Sequence, residues 1–102
     1  MFNIINRKTL LAYAEEYPKA KNALFEWYYE FFNADFKNFQ ELKAIYKNAS
    51  LVGDDRVVIN IMGNHYRLVI RGVFVYKVIQ IKWFGTHNDY DKIDVTKIQY
   101  KK

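Results

Sequence analysis

The chain has no cysteine, and that one absence removes a disulfide scaffold, a catalytic thiol and every thiolate zinc site. Glycine is sparse, with four residues dispersed at Gly53, Gly63, Gly72 and Gly85. No glycine-rich loop is therefore present to cradle phosphates, and nucleotide hydrolysis and hydride transfer are set aside. No apolar run approaches the roughly 20 residues that span a bilayer, and Met1 to Arg7 lacks the charged-then-apolar plan of a signal peptide. A soluble cytoplasmic protein is the expectation. Histidine is also scarce. His65 and His87, even with Asp89 or Asp91, match no compact zinc or EF-hand spacing, so neither a metal nor a cofactor is expected.

What the chain does have is apolar and aromatic material, 51% and 19% of its 102 residues, enough for a packed core and too much for a disordered segment. A chain of this length buries roughly two-thirds of its unfolded surface around one core, and one domain over residues 1–102 is expected. The 16 Lys and Arg outnumber the 11 Asp and Glu, and the excess is uneven. Residues 1–50 carry 7 basic and 6 acidic side chains, whereas residues 51–102 carry 9 and 5. A positive field gathered in the second half favours a polyanion such as nucleic acid, provided a site accompanies it.

Phe2 to Ile5 is short, apolar and half β-branched, and reads as a first strand. Asn6 or Thr9 can cap a helix through Leu10, Leu11 and Tyr13, and Pro18 ends it while suiting the first turn of another. In that second helix Ala20, Leu24, Trp27 and Phe31, then Tyr28 and Phe32, recur at spacings of three and four. Helical spacing of this kind marks core in preference to a base-stacking platform. A third helix is read over Phe39 to Tyr46.

From Ser50 the period becomes two. Arg56 to Ile61 sends Val57, Ile59 and Ile61 one way, and Arg56, Val58 and Asn60 the other. Met62-Gly63-Asn64 turns the chain, and His65 to Arg71 sets Tyr66, Leu68 and Ile70 against His65, Arg67, Val69 and Arg71. After a reversal at Gly72-Val73, a long strand from Phe74 to Phe84 places Ile79, Ile81 and Trp83 on one face and Val78, Gln80 and Lys82 on the other. The expected architecture is α+β: a small antiparallel sheet of about four strands, N-terminal helices packed on one face, the other face partly open.

That open face brings together Arg67, Arg71 and His65, to which neighbouring strands add Arg56, Lys82, Gln80 and Asn60. A phosphodiester would meet several donors there; a solvated face that keeps edges from pairing is the alternative. Beyond the long strand comes Gly85-Thr86-His87-Asn88-Asp89-Tyr90-Asp91-Lys92, dense in groups that exchange protons and placed where a sheet can steady it. It is either a site or a polar turn whose Asn and Asp satisfy their own backbone.

Three runs, Val52 to Ile61, Gly63 to Val69 and Phe84 to Ile93, resemble in order and spacing the HigB-type toxins of toxin-antitoxin systems, within the RelE-like endonuclease group. Arg7-Lys8-Thr9-Leu10 and Trp27-Tyr28 extend the likeness over nearly the whole chain. The resemblance implies a mRNA interferase acting on translating ribosomes, neutralised by a HigA-like helix-turn-helix antitoxin. It places Arg67 at the scissile phosphate, His87 at a strand-end basic position used in catalysis, and Tyr90 near a C-terminal tyrosine of the same site. The RelE-like pattern has arginine and lysine where this chain has His87, and relatives often carry lysine at His65, so the assignment of base and acid stays open. Lys92 joins Tyr90 as a candidate for acid or charge stabilisation, and Asp91 as an orienting group for His87. A non-catalytic basic module that binds RNA or the ribosome is the alternative.

Overall fold

The computed structural model describes residues 2–95. Strand β1 (Asn3–Ile5) leads to helices α1 (Arg7–Glu16), α2 (Lys21–Asn33) and α3 (Phe39–Ile45). Four further strands follow, β2 (Ser50–Gly53), β3 (Arg56–Ile61), β4 (Tyr66–Val73) and β5 (Val78–Thr86), and then a one-turn helix α4 (His87–Tyr90). The sheet has five strands in the order β1-β5-β4-β3-β2, antiparallel except where β1 pairs parallel with β5.

The α+β class and the helices on one face are as expected, and the differences are local. The additional strand is β2, held to β3 by a turn in which Gly53, Asp54 and Asp55 all take positive φ. The reversal into β5 lies later than Gly72-Val73. Strand β4 continues to Val73, a 3-10 turn covers Phe74–Tyr76, and Lys77, with φ 55°, completes it. His65 sits in the turn before β4 instead of on the strand, and in that turn Met62 and Gly63 carry the positive φ.

The helices form for legible reasons. Asn6 occupies the N-terminal flank of α1 in the left-handed region without a side-chain cap, and Thr9 is buried inside the helix. Pro18 begins a 3-10 turn that runs directly into α2. Asn38 caps α3 by accepting from the Glu41 N–H at 2.9 Å, while the Glu41 carboxylate accepts from the Lys37 N–H at 3.1 Å.

Ala20 of the 3-10 turn and the apolar stripe of α2, Leu24, Trp27 and Phe31, share one buried core with Leu10, Tyr13 and Ala14 of α1 and with Val57, Ile59, Ile61, Leu68, Ile70, Ile79, Ile81 and Phe84 of the sheet. Phe2, Phe31 and Phe36 cluster with centroids 5.4 to 6.5 Å apart. Lys77 closes this end: its ammonium lies 5.2 Å from the Phe2 ring centroid, donates to the Phe36 carbonyl at 2.9 Å and pairs with Asp35 at 2.7 Å. The opposite sheet face therefore keeps its back to a rigid layer, as a site requires.

Candidate nucleic-acid interface

Register sets out the open face. On β3 and β4, Asn60 lies opposite Arg67, Val58 opposite Val69 and Arg56 opposite Arg71; on β4 and β5, Arg67 lies opposite Gly85, Val69 opposite Trp83 and Arg71 opposite Gln80. Alternation along β5 breaks at a bulge: Val69 pairs with Trp83 but its neighbour Ile70 pairs with Ile81, leaving Lys82 as the extra residue. Trp83 is thereby moved from the core face, where strict alternation puts it, to the open face, and Phe84 takes the buried position instead.

One end of this face gathers the proton-exchanging groups. The Arg67 guanidinium is steered by Asn64, donating from Nη2 to the side-chain oxygen at 2.7 Å and from Nη1 to the backbone oxygen at 3.3 Å. Strand β5 ends beside it. The His87 N–H donates to the His65 carbonyl at 3.0 Å, which fastens the start of α4 to the turn before β4. Thr86 caps α4 by accepting from the Asp89 N–H at 3.2 Å. The segment Gly85 to Lys92 is thus neither open loop nor simple turn but a capped helical turn standing on β4 and β5.

Within α4, His87 Nε2 lies 3.7 Å from an Asp91 carboxylate oxygen, one turn away. Its Nδ1 is turned inward with no hydrogen-bond partner among the described residues. Burial holds the Tyr90 hydroxyl above the usual tyrosine range and Asp91 adds to this, while the positive charge of Arg67 pulls the other way. That coupling places Tyr90 within the field of Arg67. His65 is exposed in its turn, and Lys92 is exposed just after α4, its N–H bonded to the Asp89 carbonyl at 3.1 Å.

The other end of the face holds a second group of cations. Lys82 has its ammonium held below the usual lysine range, by burial first and then by Arg56 and Arg71, with Asp54 opposing. Arg71 donates from Nε to the Asp54 carbonyl at 3.2 Å, lies 3.7 Å from the Asp55 carboxylate, and stays partly exposed. Arg56 differs from the open-face cation expected. It is 2% exposed and donates to the Val95 carbonyl at 3.0 Å, anchoring the segment that follows α4 back onto β3. Of the C-terminal charge excess, Lys97, Lys101 and Lys102 lie outside the described residues.

Arg67, His87, Tyr90 and Asp91 thus fall at one end, with His65 in the adjoining turn and Lys92 exposed just after α4, while Arg71 and Lys82 stand along the strands and Arg56 is buried. Two contributors escaped the sequence reading. Asn64 was read only as a turn residue. Strict alternation puts Trp83 on the face of Ile79 and Ile81, and only the bulge at Lys82 turns it to the open face. Among the described residues, no three His, Asp or Glu side chains come together in a way that could hold a metal ion.

Comparison with known families gives one match: residues 20–93 fit the model of the HigB toxin family, described as the RelE-like toxic component of a toxin-antitoxin system. A search of curated proteins finds no matching relative.

Proposed function

Since the chain belongs to the HigB toxin family, the toxic components of toxin-antitoxin systems, we propose that it is an endoribonuclease that cleaves mRNA on translating ribosomes without a metal. The observation that supports this most is the juxtaposition of Arg67, His87 and Tyr90 at one end of β4 and β5. In the reaction, a ribose 2′-oxygen attacks the adjacent phosphorus as its proton passes to a base. The P–O5′ bond then breaks, leaving a 2′,3′-cyclic phosphate and a 5′-hydroxyl whose proton comes from an acid.

Arg67 supplies a bidentate clamp for the negative charge that gathers on the phosphorane, a geometry lysine does not reproduce. Asn64 holds that guanidinium in one orientation before substrate arrives. His87 is the proton-exchanging group, and Asp91, 3.7 Å from its Nε2, orients the ring. Tyr90, kept protonated by burial, is a donor for the departing oxygen, with Lys92 near it as a further source of positive charge. Arg71 and Lys82 take phosphates away from the cut, and His65 flanks the scissile position. A helix-turn-helix antitoxin is the proposed neutralising partner, and a small gene for one beside this reading frame would identify it.

The test expresses the wild type, Arg67→Ala and His87→Ala, and maps RNA ends by primer extension with ribosomes present. Growth arrest and cleavage in the wild type, lost by about 100-fold or more in Arg67→Ala as for removal of a transition-state donor, support the proposal. Undiminished cleavage in both variants refutes the site. A wild type that binds RNA or ribosomes but cuts nothing supports a binding module instead.

A further inference from the structure

We propose that the Trp83 indole is the stacking platform for a nucleobase next to the phosphate that Arg67 takes, so that the open face reads single-stranded RNA as phosphate, base, phosphate along β4 and β5. This rests on the RNA-cleaving reading above and extends it to how substrate is held.

The placement of the ring carries the inference. The bulge at Lys82 brings Trp83 onto the open face, partly exposed. The indole does not stand away from the sheet. A Cβ added to Gly85 would meet three atoms of its six-membered ring, Cη2 at 2.5 Å, Cζ2 at 2.7 Å and Cζ3 at 3.3 Å. The ring therefore runs along β5 and lies down on the glycine, directly across from Arg67. Its position is set from the side as well: the Tyr90 ring packs against it at 6.2 Å between centroids, tilted by 52°. Glycine in a strand commonly marks a place where another group approaches the backbone closely, and here that group is this indole.

A tryptophan that served only to cover Val58 and Val69 would not need a glycine beneath it, since leucine covers the same valines. A flat indole fixed beside an arginine and partly open to solvent has the form of a base-stacking site, because every base has a π-face and stacking tolerates any sequence. The charges on either side agree with a polyanion as the occupant. Arg67 lies at one end of the ring, and Arg71 with Lys82 lies beyond its other end, about 13 Å further along β4 for four residues of strand. A protein partner of matching shape would gain little from cations at both ends of an aromatic shelf.

Binding is measured by the anisotropy of an end-labelled single-stranded RNA made uncleavable by 2′-O-methyl groups, a signal that does not depend on Trp83. A series of such RNAs carries one abasic nucleotide at each position in turn. The expected result is a single position at which loss of the base weakens wild-type binding by about 5- to 150-fold. Trp83→Leu should weaken binding of intact RNA by a similar factor and show no further loss at that position, and Trp83→Phe should retain most of the affinity. Thermal melts of both variants check folding, and the abasic series in the wild type tests stacking without any variant. A flat abasic profile, or a Trp83→Leu loss that multiplies with the abasic loss, overturns the proposal. RNA that is cleaved with a flat profile removes the stacking site alone. RNA that binds with a sharp abasic profile, yet is never cleaved when unmodified, keeps the stacking site and refutes the nuclease reading.

Discussion

The close seating of Trp83 on Gly85 makes Gly85→Ala a sensitive perturbation, because the backbone there lies outside the left-handed region and alanine is conformationally allowed. Any cost comes from the ring alone. The new methyl would sit 2.5 Å from Cη2, while ordinary carbon contacts begin near 3.5 Å, so the indole must retreat by about 1 Å. Tyr90 resists in one direction and the sheet in another. Overpacking of this kind costs about 1–3 kcal/mol, which lowers the melting temperature of a domain this size by about 4–8 °C for each kcal/mol. The assay is a thermodynamic cycle: urea unfolding of the wild type, Gly85→Ala, Trp83→Leu and the double variant. With the ring gone, Gly85→Ala should be neutral or slightly stabilising, by about 0.4–1 kcal/mol through reduced freedom of the unfolded chain. The two substitutions should therefore be coupled by about 1–3 kcal/mol, with the second relieving the first. Equal effects of Gly85→Ala in both backgrounds would refute the packing described here.

Two further outcomes test the scaffold. Phe31→Ala, at a ring with no exposure that touches Phe2, Trp27, Phe36 and Tyr46, should cost about 3–5 kcal/mol, a large share of the 5–15 kcal/mol that is typical of a whole domain; a urea midpoint near that of the wild type would contradict its central place. Asp35 is held below the usual aspartate range chiefly by its hydrogen bond and ion pair with Lys77, so its folded form binds a proton less readily than its unfolded form. It therefore contributes stability above the ordinary aspartate range that is lost as the pH falls towards the lowered folded value. The gap in urea midpoint between wild type and Asp35→Asn should be present at neutral pH and shrink below about pH 4; a gap that ignores pH would contradict the linkage.

Periodicity made the helices and most of the sheet legible. Leu24, Trp27 and Phe31 are buried as their spacing requires, and Val57, Ile59 and Ile61 face the core as alternation requires. Two things were not local enough to read. The bulge at Lys82 depends on how β5 pairs with β4, and only that pairing decides whether Trp83 or Phe84 turns inward. Similarly, the inward placement of Arg56 depends on Val95, 39 residues away, returning to meet it. The turn at Asp54 and Asp55 also outran the sequence, because both aspartates take positive φ where glycine was the residue to look for. Gly85 reads in the sequence as one of four dispersed glycines, yet its place inside a strand and behind two aromatics signals close approach.

The parallel pairing of β1 with β5 has a consequence for how the molecule comes into being. Residues 3–5 are synthesised more than 70 residues before their strand partner, residues 78–80, and β5 must slot between β1 and β4 before the sheet is continuous. Such distant pairing delays assembly until its far partner exists. Because β5 also bears Trp83 and leads into His87, the site proposed to act on translating ribosomes cannot assemble until β5 and α4 have both been translated.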